Sequence, residues 1–266
     1  MGKYKVLVTA RSFGSADTKA WELLKENACD VKKLTAEDGP ISEQLQRELP
    51  EADAVIAGLE AYDRKLLESC GRLKVISRYG VGCDQVDCAA AKEHQIAVTI
   101  TPGANGDSVA DLAVGLMLCC ARNITVMDQS IRDKQQVRPS GIEMWGKTLG
   151  IIGTGRIGKN VAHRCEGFHM RILGYDPYPD QAFEKECHAV YTDLETIIRE
   201  ADFITLHVPL TQETKNMFGE KQFRMMKKDA VLINTARGGI INEEDLYTAL
   251  KTGEIRAAGL DATAVE

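Results

Sequence analysis

Residues 147–158 read Lys-Thr-Leu-Gly-Ile-Ile-Gly-Thr-Gly-Arg-Ile-Gly, and no other stretch restricts the fold as much. The apolar run at 148–152 predicts a buried strand. Gly153, Gly155 and Gly158 form a G-x-G-x-x-G turn, and a helix is expected from about Arg156 through Ile157 to Cys165. Gly153 suits the tight turn, Gly155 lets a pyrophosphate approach the main chain, and Gly158 lets the helix pack close to its strand. The free N–H groups and positive dipole end of that helix favour phosphate. The next apolar run, 171–175, ends at Asp176. A carboxylate there would hold the adenosine ribose diol of NAD and repel the 2′-phosphate of NADP. Pro177-Tyr178-Pro179-Asp180 adds no Arg or Lys to reverse that preference, so NAD is the expected cofactor.

Apolar, β-branched runs recur at 5–9, 54–57, 74–77 and 96–100, with helical stretches such as 17–27 and 63–68 between them. A second series follows at 148–152, 171–175, 203–207, 230–234 and 257–260, spaced by helical segments at 159–167, 193–199, 220–225 and 243–251. Alternation of this kind implies parallel sheets covered by helices on both faces, and two series imply two doubly wound domains. The breaker cluster 101–107 separates them, predicting one domain over 1–101 and another over 102–266. Segment 108–132 reads as one long helix capped by Ser108 or Asp107, placed to bridge the domains or to meet a partner subunit.

The 266 residues suffice for two domains of ordinary size. A net charge of −6 does not suggest a nucleic-acid or anionic-membrane partner. The longest apolar stretch, 112–121, is too short to span a bilayer. The first strand begins so near the N-terminus that no signal peptide is expected, which points to the cytoplasm. The eight cysteines form no C-x-x-C pair and no zinc-like spacing, so they read as reduced thiols and no metal is expected.

Four more segments bear on chemistry. Residues 77–84, Ser-Arg-Tyr-Gly-Val-Gly-Cys-Asp, follow a strand and offer main-chain N–H groups as a nest for a carboxylate. Residues 104–111 open the long helix. His207-Val208-Pro209-Leu210 and Asn234-Thr235-Ala236-Arg237-Gly238-Gly239 end strands at their carboxyl tips, the ligand edge of an open parallel sheet. The Arg237 fork suits a carboxylate or a polarised carbonyl.

Taken together, these motifs resemble the D-isomer-specific 2-hydroxyacid dehydrogenases, most closely the D-3-phosphoglycerate dehydrogenase-like branch, over essentially the whole chain. The resemblance implies a flavodoxin-like substrate domain, a Rossmann NAD-binding domain and a homodimer. It also implies hydride transfer between NAD and C2 of a D-2-hydroxy or 2-keto acid, with 3-phosphoglycerate and a non-phosphorylated acid both open. By the same resemblance, Arg237 and Glu266 are catalytic, and Gly80, Val81, Gly82 and Asn105 hold the substrate. Gly153, Gly155, Arg156, Ile157, Gly158, Asp176, His207, Pro209, Thr235, Ala236 and Asp261 surround the cofactor.

The family's catalytic histidine lies in a Pro-His-x-Gly-like segment, which would fall beyond Glu266. His94, His163, His169 and His188 lie away from strand tips, and His207 sits in a cofactor-bordering motif. The expectation is therefore an incomplete copy of a longer chain, with little turnover of its own. Gly58-Leu59-Glu60-Ala61-Tyr62-Asp63 places two acids where a phosphate would dock, which Arg11 and Arg78 could offset. The alternative reading is an NAD(H)-binding sensor of the corepressor kind, without turnover.

Overall fold

The structure is a computed structural model describing residues 3–264. It divides into two compact units, Met1–Asn105 and Gly106–Glu266. The division falls a few residues past the expected 101/102 boundary. Thr101 is tied back to the first unit, its N–H and hydroxyl both donating to Gly80 O, and Gly106 already starts the next helix.

In the first unit, β1 (Tyr4–Val8), β2 (Cys29–Lys33), β3 (Ala54–Ala57), β4 (Val75–Arg78) and β5 (Ala97–Thr99) form a parallel sheet ordered β2-β1-β3-β4-β5. This is the flavodoxin-like order, with its switch point between β1 and β3. Helices α1 (Lys19–Glu26), α2 (Ile41–Glu48), α3 (Arg64–Glu68) and α4 (Cys88–Glu93) connect the strands. Leu7, Val55, Ile76, Leu45, Leu49 and Leu67 form a core closed to water. The sequence pattern does not reveal β2. Its residues, Cys-Asp-Val-Lys-Lys, lie on the sheet's outer edge, where only partial burial is required and charged side chains are tolerated.

In the second unit, α5 (Gly106–Arg122) and α6 (Ile124–Arg132) precede β6 (Thr148–Ile152), α7 (Arg156–Cys165), β7 (Arg171–Tyr175), α8 (Gln181–Glu186), β8 (Val190–Tyr191) and α9 (Leu194–Glu200). Then come β9 (Phe203–Leu206), α10 (Glu220–Met225), β10 (Val231–Asn234), α11 (Glu243–Thr252) and β11 (Ala257–Leu260). The all-parallel sheet runs β11-β10-β9-β6-β7-β8, the Rossmann order with its switch point between β6 and β9. Leu149, Ile151, Phe203 and Ile233 pack one face against α5 and α7. Ile152, Ile204, Leu206 and Leu232 pack the other against Ile197, Phe223 and Leu246. The two-residue β8, also on an edge, is equally hidden in the sequence because two residues carry no periodicity.

The segment 108–132 is not one helix. Asn123 adopts a left-handed conformation, φ +52°, which ends α5 and turns the chain by 68° into α6. Neither Ser108 nor Asp107 caps α5, which already begins at Gly106. Asp107 instead pairs with Arg164 of α7, as does Asp111. The apolar face of α5, Ala110, Ala113, Met117 and Ala121, is spent inside the second unit's core. No single described helix is long and apolar enough to cross a membrane.

Candidate functional site

The carboxyl tips of β6, β7, β9, β10 and β11 carry the predicted cofactor residues. Gly153 closes β6 with φ +94°, and a Cβ there would lie 2.6 Å from the carbonyl carbon and oxygen of His207, so only glycine fits at the switch point. At Gly158 a Cβ would meet Gly153 O at 2.3 Å, because α7 crosses directly over the turn. At Gly155 a Cβ would meet nothing within 4 Å, leaving the open space a pyrophosphate needs at the start of α7. Arg156 and Ile157 form the first turn of that helix.

Asp176 ends β7. Its Oδ2 accepts the N–H of Thr154 at 2.9 Å and its Oδ1 accepts the N–H of Tyr178 at 2.9 Å. The carboxylate is thus oriented before any ligand arrives, with lone pairs left for a diol. A cleft of about 460 Å³ lies here, lined by Thr154, Gly155, Arg156, Lys159, Asp176, Tyr178 and Asp180. Open space at Gly155, a free helix terminus and an oriented carboxylate together fit the adenosine and pyrophosphate part of NAD. Lys159 was not among the expected residues. It lies outside the segment after Asp176 and reaches the cleft from α7.

His207 follows β9 and faces back to Thr205, its Nε2 2.9 Å from Thr205 Oγ1, while Nδ1 is buried with no partner among the described residues. Burial lowers its pKa to about 4 and keeps the ring neutral near pH 7. This position at the cofactor edge and this neutrality suit a residue bordering a ligand rather than a proton shuttle. Pro209 is exposed, and its carbonyl accepts the Thr214 hydroxyl at 2.6 Å.

Asn234, at the tip of β10, was missed as a site residue. Its side chain donates to Arg237 O at 2.8 Å and accepts from Ala236 N at 3.0 Å, clamping the turn that presents Arg237. The Arg237 guanidinium is half-buried and donates to Ala236 O at 2.8 Å. Thr235 Oγ1 is buried and meets no hydrogen-bond partner among the described residues. Asp261 follows β11 and its N–H donates to Asn234 O at 2.9 Å, placing it beside the same turn. Glu266 lies outside the described residues.

In the first unit, the loop after β4 holds Gly80, Val81 and Gly82. Neither glycine has a positive φ, so the loop lacks the paired right- and left-handed residues of a nest. The N–H groups of residues 80–82 nevertheless meet no protein acceptor among the described residues, which leaves them available to a carboxylate. Arg78 is buried beneath the loop, donating through Nε to Gly82 O at 3.1 Å and through NH1 to Ala57 O at 2.8 Å. Asn105 is the last residue of this unit, and its Oδ1 meets no partner among the described residues. The two acids after β3 diverge. Asp63 caps α3 by accepting Leu66 N–H at 2.8 Å, whereas Glu60 lines a cleft with Arg11 and accepts the Thr9 hydroxyl at 2.6 Å.

Residues 114–266 match the family model described as D-isomer specific 2-hydroxyacid dehydrogenase, NAD binding domain. A hydroxypyruvate reductase of Thermotoga maritima is 42% identical, with 100% of this chain and 85% of that protein aligned. The chain belongs to the D-isomer-specific 2-hydroxyacid dehydrogenase family. Members of this family are NAD-dependent oxidoreductases, and the second unit is the family's NAD-binding domain. A D-3-phosphoglycerate dehydrogenase of Methanocaldococcus jannaschii is 44% identical over 87% of this chain, which spans only 45% of that protein's length. Among solved structures, a D-lactate dehydrogenase of Aquifex aeolicus, complexed with NAD and lactic acid, superposes with a TM-score of 0.81 at 30% identity. That match covers 98% of this chain and 77% of the other. The names of these relatives carry different substrates.

Proposed function

We propose that this chain serves an NAD-dependent dehydrogenase acting at C2 of a small, non-phosphorylated D-2-hydroxy or 2-keto acid. The observation that carries the reading is the set of strand tips in the second unit. An open glycine turn, an oriented Asp176 and a clamped Arg237 all lie on the ligand edge of one Rossmann sheet. When bound, NAD supplies the hydride acceptor. Arg237 would hold the substrate carboxylate and polarise the C2 oxygen, and Asn234 would keep it aimed. The N–H groups of Gly80, Val81 and Gly82 would take a carboxylate oxygen, and Asn105 would line the pocket. His207 and Pro209 would border the nicotinamide with Thr235, Ala236 and Asp261. Glu266 would support a histidine acting as acid and base.

Glu60 supports the non-phosphorylated choice. Its carboxylate stays in the cleft at the first switch point, and Arg78 is committed to two carbonyls rather than free to meet a phosphate. A homodimer, supported by the exposed apolar side chains of Ile124, Val126 and Ile131 on α6, and a cytoplasmic location complete the proposed reading. Sedimentation of the natural full-length protein at about twice its monomer mass would support the dimer, and a monomer would end that part.

The test is NADH oxidation by the natural full-length protein across glyoxylate, hydroxypyruvate, pyruvate and phosphohydroxypyruvate. Turnover with the first three at higher kcat/KM than with the last supports the proposal. A reversed order overturns the substrate class, and tight NADH binding with no turnover would make the protein a sensor.

A further inference from the structure

Four charged side chains line the cleft beneath Asp176: Arg156, Lys159, Asp176 and Asp180. Lys159 is the cation a 2′-phosphate would recruit, since its ammonium sits on a flexible stem in the same cleft. In this structure that ammonium is paired with Asp180. The hydrogen bond between them raises the lysine's pKa and lowers the carboxyl's.

Asp180 is itself held in place. Its Oδ1 caps α8 by accepting Ala182 N–H at 2.9 Å, and its own N–H donates to the Tyr191 hydroxyl at 3.0 Å. That hydroxyl lies 2.6 Å from Thr154 Oγ1, which donates to Asp176 Oδ2 at 3.4 Å. A chain of hydrogen bonds through Tyr191 and Thr154 therefore sets the two carboxylates in fixed relation. An exposed ion pair of this kind adds little to stability, so its effect is to be sought in what the cleft admits.

We propose that the Lys159–Asp180 pair is a second determinant of cofactor choice: Asp180 withholds the Lys159 ammonium from a 2′-phosphate, so that two carboxylates exclude NADP. The inference rests on the NAD reading above. With both pairs of opposite charges present the cleft is balanced; without the Asp180 charge it gains one net positive charge and a released ammonium.

The test is fluorescence titration of NADH and NADPH into natural full-length protein carrying Asp180→Asn, Lys159→Met, or both. Asparagine keeps the oxygen that caps α8. Asp180→Asn should tighten NADPH on the order of tenfold while NADH stays within about twofold. The double variant should lose that gain. Lys159→Met alone should not tighten NADPH, because the lysine is already withheld and its loss leaves the Asp180 charge unpaired. Unchanged NADPH binding in Asp180→Asn, equal tightening of both cofactors, or a gain that survives Lys159→Met would each overturn the inference. If Asp180→Asn does not fold, Asp180→Ser, which keeps an oxygen able to cap α8, takes its place with the same expected and overturning results. Wild-type protein that binds neither cofactor would overturn the NAD reading itself, a distinct result.

Discussion

The carbonyl of His207 stands where a side chain on Gly153 would have to be: an ideal Cβ comes within 2.6 Å of both its carbon and its oxygen. Two strand tips, of β6 and β9, meet backbone to backbone at the switch point of the second sheet.

Gly153→Ala is expected to cost about 2–4 kcal/mol, combining the left-handed φ with overpacking against backbone that cannot yield. Thermal unfolding should fall by roughly 5–15 °C, and NADH affinity should drop with it. A variant with wild-type melting and NADH affinity would show that the turn can open without loss.

Stability should fall on acidification partly because of His207. Its folded pKa, about 4, lies below the ordinary histidine value, so the unfolded chain binds more protons between about pH 6.5 and 4. The contribution is full above about pH 6.5 and is lost as pH falls toward 4, amounting to roughly 3 kcal/mol at most. Urea unfolding at about pH 7 and about pH 4.5 should show a smaller acid loss for His207→Asn than for wild type. Equal losses would place the titration elsewhere.

Arg78→Met should destabilise the first unit by about 2–4 kcal/mol, because the carbonyls of Ala57 and Gly82 lose their donor in a buried setting. The loop at residues 80–82 would loosen, weakening apparent affinity for the keto-acid substrate (a raised KM) more than it lowers kcat. A loss below about 1 kcal/mol with unchanged KM would mean the loop supports itself.

Glu60→Gln removes a negative charge while keeping an acceptor for the Thr9 hydroxyl. Catalytic efficiency with phosphohydroxypyruvate, relative to hydroxypyruvate, should rise on the order of threefold to tenfold, measured on the natural full-length protein. No change in that ratio would remove Glu60 from the substrate pocket.

What the sequence determined by itself was whatever short-range chemistry writes locally. Glycines at 153, 155 and 158, the apolar runs on the central strands, and Asp176 at a strand end are signals of this kind. Each central strand must be buried on both faces, so its residues read as continuous hydrophobic runs. Edge strands β2 and β8 carry no such obligation and were invisible. The remaining features belong to the folded chain. Folding broke the segment 108–132 at Asn123, turned Asp63 into a helix cap, sank Arg78 beneath its loop and brought Lys159 to Asp180. These are pairings between residues distant in sequence or choices among several possible partners. Burial and the need to satisfy every polar group settle them only after the chain has folded.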